Sequence, residues 1–255
     1  MDCADWKARS RRLVGEEGIK RLDSSHVLLL GLGGVGSFCA EALVRSGIGA
    51  LTIVDYDTID SSNINRQLPA LSDTLGRVKT DVLSERLLSV NPDLRLRGRD
   101  IKINAENISG ELDEYDNPPD FIADAIDDLP AKTAIAIAAT RRGIRLISCM
   151  GAAFRLDPSM LMISDISQTH TCPLAKRFRR MLKDAGVTEG VPVVWSKEKP
   201  LRETVTEESV DEPGDTLSLS VKAPGPASMV FVPGAAGLLM ASYIVRQIVD
   251  GTRLC

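Results

Sequence analysis

Val27-Leu-Leu-Leu-Gly31-Leu-Gly33-Gly34-Val-Gly36-Ser37 is the stretch on which the reading of the fold turns. Val27 to Leu30 is an uninterrupted apolar run, the pattern of a strand covered on both faces. Gly31, Gly33 and Gly36 satisfy G-x-G-x-x-G. From Ser37 to Ser46 apolar residues recur at helical spacing until Gly47 stops them. Leu51 to Asp55 reads as the next strand, so strand, glycine turn, helix and strand follow one another, which predicts a βαβ unit and a parallel sheet.

A helix that begins at glycines presents free N–H groups and a partial positive charge, and the missing side chains let an anion approach. Gly31, Gly33, Gly34 and Gly36 are therefore read as a phosphate-binding turn. Asp55, ending the following strand, is placed to accept from a ribose hydroxyl.

Outward from this unit the alternation continues. Trp6 to Leu22 reads as a peripheral helix, Val78 to Val90 as an amphipathic helix ended by Asn91-Pro92, and Asp120 to Ile126 as a strand. Ala131 to Arg142 reads as a helix and Arg145 to Ser148 as a strand. Residues 1–150 form the expected nucleotide-binding region. Residues 151–255 complete the fold, with short strands at Phe154 to Leu156, Met160 to Ile166 and Val191 to Trp195 and a basic helix at 174–184. Residues 199–216 are polar, acidic and proline-punctuated, the composition of a mobile loop. An apolar helix is expected over 234–249. The fold class is α/β, a Rossmann-like, mostly parallel sheet with a smaller C-terminal α+β extension.

Composition narrows the function. The 255 residues carry 31 Lys and Arg against 35 Asp and Glu, a net charge of −4, which excludes a general polyanion-binding surface. Aromatics are 4%, too few for a stacking platform for single strands. The five cysteines are odd in number and contain no C-x-x-C pair, so neither a zinc knuckle nor a disulfide framework is read, and a cytoplasmic protein is expected. Ala223 to Val245 lacks charge, but Pro224, Pro226 and Pro233 leave only Gly234 to Val245 continuous. That falls short of the roughly 20 residues a bilayer requires, and no membrane association is expected.

After Asp55 come Asp57, Ser62-Asn63-Ile-Asn-Arg66-Gln67 and Lys79. Arg66 and Lys79 suit the β- and γ-phosphates of a triphosphate, charge that a dinucleotide in hydride transfer does not require. Asp124-Ala-Ile-Asp127-Asp128 brings carboxylates to the carboxyl edge of the sheet, where ligands of open α/β folds bind. Carboxylate with phosphate oxygens is the set Mg²⁺ prefers.

These motifs, together with Gly76-Arg-Val-Lys79, resemble those of the E1-like, ThiF/MoeB-type adenylating superfamily. Within it the chain is most similar to the bacterial tRNA threonylcarbamoyladenosine dehydratases. The marks are Gly15-Glu-Glu-Gly18, Met150-Gly151-Ala152-Ala153, Pro173-Leu-Ala-Lys, Val194-Trp-Ser-Lys-Glu198 and the C-terminal Gly225-Pro-Ala-Ser-Met-Val-Phe-Val-Pro-Gly. The resemblance implies ATP bound by Asp55 on ribose, Asn63 and Arg66 near the phosphates, Lys79 on the β/γ-phosphates and Asp127 on Mg²⁺. It also implies a homodimer in which Arg9, or Arg11 or Arg12, reaches the other copy's ATP. The implied chemistry is activation of the threonylcarbamoyl carboxylate at tRNA position 37 as an acyl-adenylate, followed by closure to cyclic t6A with release of AMP. An alternative within the superfamily adenylates the C-terminus of a ubiquitin-like sulfur carrier and engages a sulfur-transfer protein. A catalytically silent partner subunit is a third reading.

Lys176, Arg177, Arg179, Arg180 and Lys183 lie within one helical stretch and are candidates for tRNA phosphates, against the alternative of a solvated helix face. Cys172, two residues after His170, is read as a small buried hydrophobe rather than a nucleophile.

Overall fold

The computed structural model describes residues 5–201 and 227–250. Most of the expected loop at 199–216 and the start of the C-terminal mark, Gly225-Pro226, lie outside them. The strands are β1 (His26–Leu30), β2 (Ala50–Asp55), β3 (Arg95–Asp100), β4 (Phe121–Asp124), β5 (Arg145–Cys149), β6 (Leu161–Asp165) and β7 (Pro192–Ser196). They form one sheet in the order β3-β2-β1-β4-β5-β7-β6. Every neighbouring pair is parallel except β6 with β7. The helices are α1 (Ala8–Ser24), α2 (Gly36–Ser46), α3 (Lys79–Val90), α4 (Ile108–Asp113), α5 (Leu129–Arg142), α6 (Pro173–Asp184) and α7 (Phe231–Asp250).

Strand alternation builds a core on each face. Val27 and Leu29 of β1 enter the layer of α1, α2, α3 and α7, while Leu28 and Leu30 enter the layer of α4, α5 and α6. The continuous apolar run of β1 thus records burial from both sides. The chain leaves β1 toward β2 and β3, then returns to place β4 on the other side of β1. This reversal opens a crevice at the carboxyl ends of the strands.

Three expectations change. β3 was not legible: its sequence, Arg-Leu-Arg-Gly-Arg-Asp, is charged because it is the sheet's edge. There Arg99 pairs with Glu111 and Glu114, and Arg97 with Glu114. The strand expected at Phe154 to Leu156 is coil, because Phe154 adopts a left-handed φ of 59° and Arg155 bonds to the Gly151 and Ala153 carbonyls. Finally, α7 is longer than expected at 20 residues, Pro233 falling in its first turn where no helical N–H bond is lost. By length and apolarity it could cross a bilayer. Its packing assigns it to the core instead: a Cβ on Gly237 would stand 2.2 Å from the Val35 carbonyl oxygen and 2.9 Å from the Cys39 nitrogen, so α7 lies backbone against α2.

Candidate active site

A cleft of about 890 Å³ occupies the crevice. The glycine turn, the end of β2, the Asp60–Gln67 turn and Lys79 line one side; the β4–α5 turn and residues 149–153 line the other. Gly31, Gly33, Gly34, Asp55, Asp57, Asn63, Arg66, Gln67, Lys79, Asp127 and Asp128 all reach it.

The glycine turn is fixed from below. Gly31 has φ 88° and donates to the Val54 carbonyl at 2.8 Å. Gly36 does not line the cleft; it lets α2 start against the Gly31 carbonyl. The N-terminus of α2 has no side-chain cap; the Ser37 amide donates to the Gly33 carbonyl at 3.0 Å, and the amides ahead of it stay available to an anion.

Asp55 fastens this turn to β2. Its Oδ2 accepts from the Leu32 amide at 2.6 Å and its Oδ1 from the Asp57 amide at 2.9 Å. A carboxylate has about four acceptor sites, so it retains capacity toward the cleft that it lines. Lys79, the first residue of α3, is 4% exposed and donates to Asp57 Oδ2 at 2.8 Å. Asp57 therefore holds the ammonium at the cleft wall.

Asn63 ends a 3-10 turn, Ser61–Asn63, closed reciprocally by Asp60 and Asn63, and Arg66 follows in the next turn. The Ser62 hydroxyl and amide bonds hold the Asp60 carboxyl below its usual range. Arg66 Nη1 donates to Ser62 O at 2.7 Å and Asn65 Oδ1 at 2.8 Å, which aims the guanidinium. Ser62 itself does not line the cleft; it supports the turn. Gln67 is 8% exposed, and its Oε1 has no hydrogen-bond partner, leaving an acceptor at the cleft wall.

The two acidic residues after β4 have different tasks. Asp128 caps α5 by accepting from the Ala131 amide at 2.8 Å. Asp127 is exposed, and its carboxylate takes no hydrogen bond from a described residue. Among the described residues no cluster of three or more His, Cys, Asp or Glu could hold a metal. One open carboxylate fits an ion that arrives with nucleotide phosphates rather than one caged by protein.

The remaining expectations separate. Arg9 lies exposed on α1 outside the cleft, whereas Arg11 pairs with Asp5 and Glu16. On α6, Lys176, Arg177, Arg180 and Lys183 are exposed. Arg179 is not a free cation: Nη1 donates to Thr169 O at 2.8 Å and Thr169 Oγ1 at 2.5 Å. It holds the segment ahead of α6 through Nη1.

Sequence reasoning missed Lys102, which lines the cleft with its Nζ 5.0 Å from the Tyr56 ring centroid. Its only signal was its place just beyond the unread edge strand. Val54, Ile103 and Ile126 add an apolar wall near it.

Cys149 lines the cleft but is buried, and burial pushes its thiol up to about 12. Burial raises Cys39 as well. An unfolded thiol ionises near about 8.5, so the folded state keeps these protons to higher pH. The stability this contributes is complete below about 8.5 and is lost as pH rises through the folded values. Thermal unfolding should therefore show a melting temperature falling between about pH 9 and 12, with a shallower fall in Cys149→Ala; an identical slope in that variant would remove the thiol as a cause.

Residues 7–253 match the model of the ThiF family. The chain is 39% identical to the tRNA threonylcarbamoyladenosine dehydratase of Bacillus subtilis, covering 94% of this chain and 93% of that protein. It is 33% identical to the Escherichia coli dehydratase over 93% and 90%. The crystal structure of E. coli tRNA N6-threonylcarbamoyladenosine dehydratase in complex with ATP superposes with a TM-score of 0.83 at 29% identity, covering 98% of both chains. Cleft, sheet order and end-to-end similarity agree, and the chain belongs to the ThiF family, in the group of the tRNA threonylcarbamoyladenosine dehydratases.

Proposed function

We propose that this chain is an ATP- and Mg²⁺-dependent dehydratase that adenylates the carboxylate of threonylcarbamoyladenosine at tRNA position 37 and promotes its cyclisation, acting as a cytoplasmic homodimer. The observation that carries the reading is the cleft itself. It opposes a phosphate-type rim, with the glycine turn, Arg66 and Lys79, to a wall of small residues, Gly151, Ala152 and Ala153, that leaves room for a second substrate. The similarity also runs the length of the chain.

In this reading ATP lies with its base toward Val54, Ile103 and Ile126, its ribose on Asp55 and its phosphates between the α2 amides, Arg66 and Lys79. Asp127 would hold Mg²⁺, which neutralises phosphate charge when bound. The threonylcarbamoyl carboxylate attacks the α-phosphorus and pyrophosphate leaves. A urea nitrogen of the same side chain then attacks the activated carbonyl, AMP departs with the carboxylate oxygen, and the net change is loss of one water. Both steps depend on placement and on neutralising charge, and neither requires a protein thiol. Arg9 or Arg12, both exposed on α1, is the arginine a second copy would offer to the cleft.

The sulfur-carrier alternative requires a thiol that can accept an acyl or sulfur group if the chain also performs transfer. Among the described residues Cys39, Cys149 and Cys172 are all free and buried. Incubating threonylcarbamoylated tRNA with protein, ATP and Mg²⁺ should yield a nucleoside lighter by one water in mass spectrometry. Unchanged tRNA, with a carrier protein driving pyrophosphate exchange, would favour the alternative.

The exposed cations of α6 give a further expectation. Replacing Lys176, Arg177, Arg180 and Lys183 by Gln should raise KM for tRNA and leave ATP binding unaltered. The log–log salt slope should fall by about one for each phosphate that the helix no longer neutralises. Arg179→Ala should instead lower the melting temperature, a cost of about 1–3 kcal/mol for unsatisfied buried acceptors. Equal salt slopes for the quadruple variant and the wild type would clear α6 of any role in RNA binding.

A further inference from the structure

Beneath the cleft lies a charged group that the proposed chemistry does not use. Asp124, the last residue of β4, Ser148, in register beside it on β5, and Lys132, in the first turns of α5, are each fully buried. Lys132 Nζ donates to Asp124 Oδ2 at 2.8 Å and to Ser148 Oγ at 3.0 Å, and Ser148 Oγ donates to Asp124 Oδ2 at 2.6 Å. The other carboxylate oxygen, Asp124 Oδ1, accepts from the Ile126 amide at 3.3 Å.

A buried ion pair contributes little net stability, because desolvating both charges offsets their attraction, and apolar replacements often serve as well. What it supplies here is geometric. The Asp124 to Lys132 bond closes the turn that runs through Ala125, Ile126, Asp127 and Asp128, and the Asp128 cap on α5 fixes its far end. Ser148 joins the same carboxylate to β5, whose continuation, Cys149 to Ala153, is the opposite wall. Three segments that shape the cleft therefore meet at one carboxylate.

We infer that Asp124, Lys132 and Ser148 form a positioning network that holds the Asp127 turn against the 149–153 wall. The inference rests on the reading of the cleft as a nucleotide site with Asp127 toward the metal. None of the three residues touches substrate in this reading. They act through the backbone they fix, and a fixed turn presents the Asp127 carboxylate without reorganisation when nucleotide arrives.

The test separates positioning from stability. Lys132→Met alone strands a buried carboxylate and should lower the melting temperature sharply. The double variant Asp124→Asn/Lys132→Met removes both charges, and the Asn oxygen still accepts from Ile126, so it should melt within a few degrees of the wild type. Two measurements are then made on that double variant. In the nucleotide-free protein, amide hydrogen exchange over residues 125–129 should quicken at least tenfold while the strands stay protected. Titration with a fluorescent ATP analogue should show the gain in affinity on adding Mg²⁺, expected as tenfold or more in the wild type, reduced to within about threefold of none, as in Asp127→Ala.

A double variant with wild-type melting, exchange and Mg²⁺-linked affinity would overturn the inference, since the network would then be structural only. So would an Asp127→Ala protein that binds as the wild type does. A wild type that binds Mg²⁺ and nucleotide but leaves tRNA unmodified would sink the dehydratase reading while the positioning result stood.

Discussion

Gly36→Ala should abolish nucleotide binding, by at least a hundredfold in Kd, and lower the stability of the fold. An ideal Cβ on Gly36 would sit 1.8 Å from the Gly31 carbonyl oxygen and 2.8 Å from its carbon. Neither atom can retreat easily: the Gly31 amide is bonded to Val54 at 2.8 Å, and Gly31 packs so closely on Ala125 that a Cβ there would stand 2.9 Å from its backbone. The turn must open by more than an ångström, at a cost of about 3 kcal/mol by comparison with overpacked cores. Gly33→Ala is the control, because its Cβ would meet only Gln67 Nε2, at 3.8 Å. That variant should melt like the wild type and lose affinity only through the methyl group facing the phosphates. Equal melting temperatures for the two variants would show that the turn is not braced as described.

Lys79→Ala is the second large effect, a loss of roughly 10²–10³ in kcat on the scale of removing one preorganised stabilising group. The ammonium is 4% exposed and is directed by Asp57 at 2.8 Å. Asp57 itself is about half exposed, so solvent can take over when its partner is removed, and stability should change by less than about 1 kcal/mol. Lys79→Arg should not restore the rate, since a planar fork does not replace a point charge in a buried slot. Asp127→Ala should fall similarly, with the Mg²⁺ requirement raised. ATP-dependent pyrophosphate release measures both, and a near-normal rate in either variant would take that residue out of the site.

The central βαβ unit was legible because one physical demand, burial on both faces of β1 beside a glycine-rich turn, leaves a continuous and unusual signal in the sequence. Asp55, Arg66, Lys79 and Asp127 were legible for a related reason: charged residues at strand ends and helix starts converge at the edge of a parallel sheet. β3 was not, because an edge strand pairs on one side only and its alternation is written in arginines. Arg179 shows the opposite limit. Its neighbours on α6 have the same chemistry, and only the fold shows that it is spent on Thr169 while they face solvent. Lys132 was hidden in another way: a lysine in an alanine-rich helix reads as surface, and its partners Asp124 and Ser148 come from two other elements. Length misled for α7, since Pro233 at a helix start does not end the helix, and backbone packing on α2 decides its place.

In the proposed reaction the substrate carboxylate is activated by transfer of adenylate. The most direct measurement uses threonylcarbamoylated tRNA whose carboxylate carries heavy oxygen, turned over by this protein with ATP and Mg²⁺, with AMP, pyrophosphate and nucleoside analysed by mass spectrometry. Adenylate transfer should leave one heavy oxygen in AMP, none in pyrophosphate, and a nucleoside lighter by one labelled water. Label in inorganic phosphate with ADP as the second product, or dehydration without transfer of label to AMP, would contradict it.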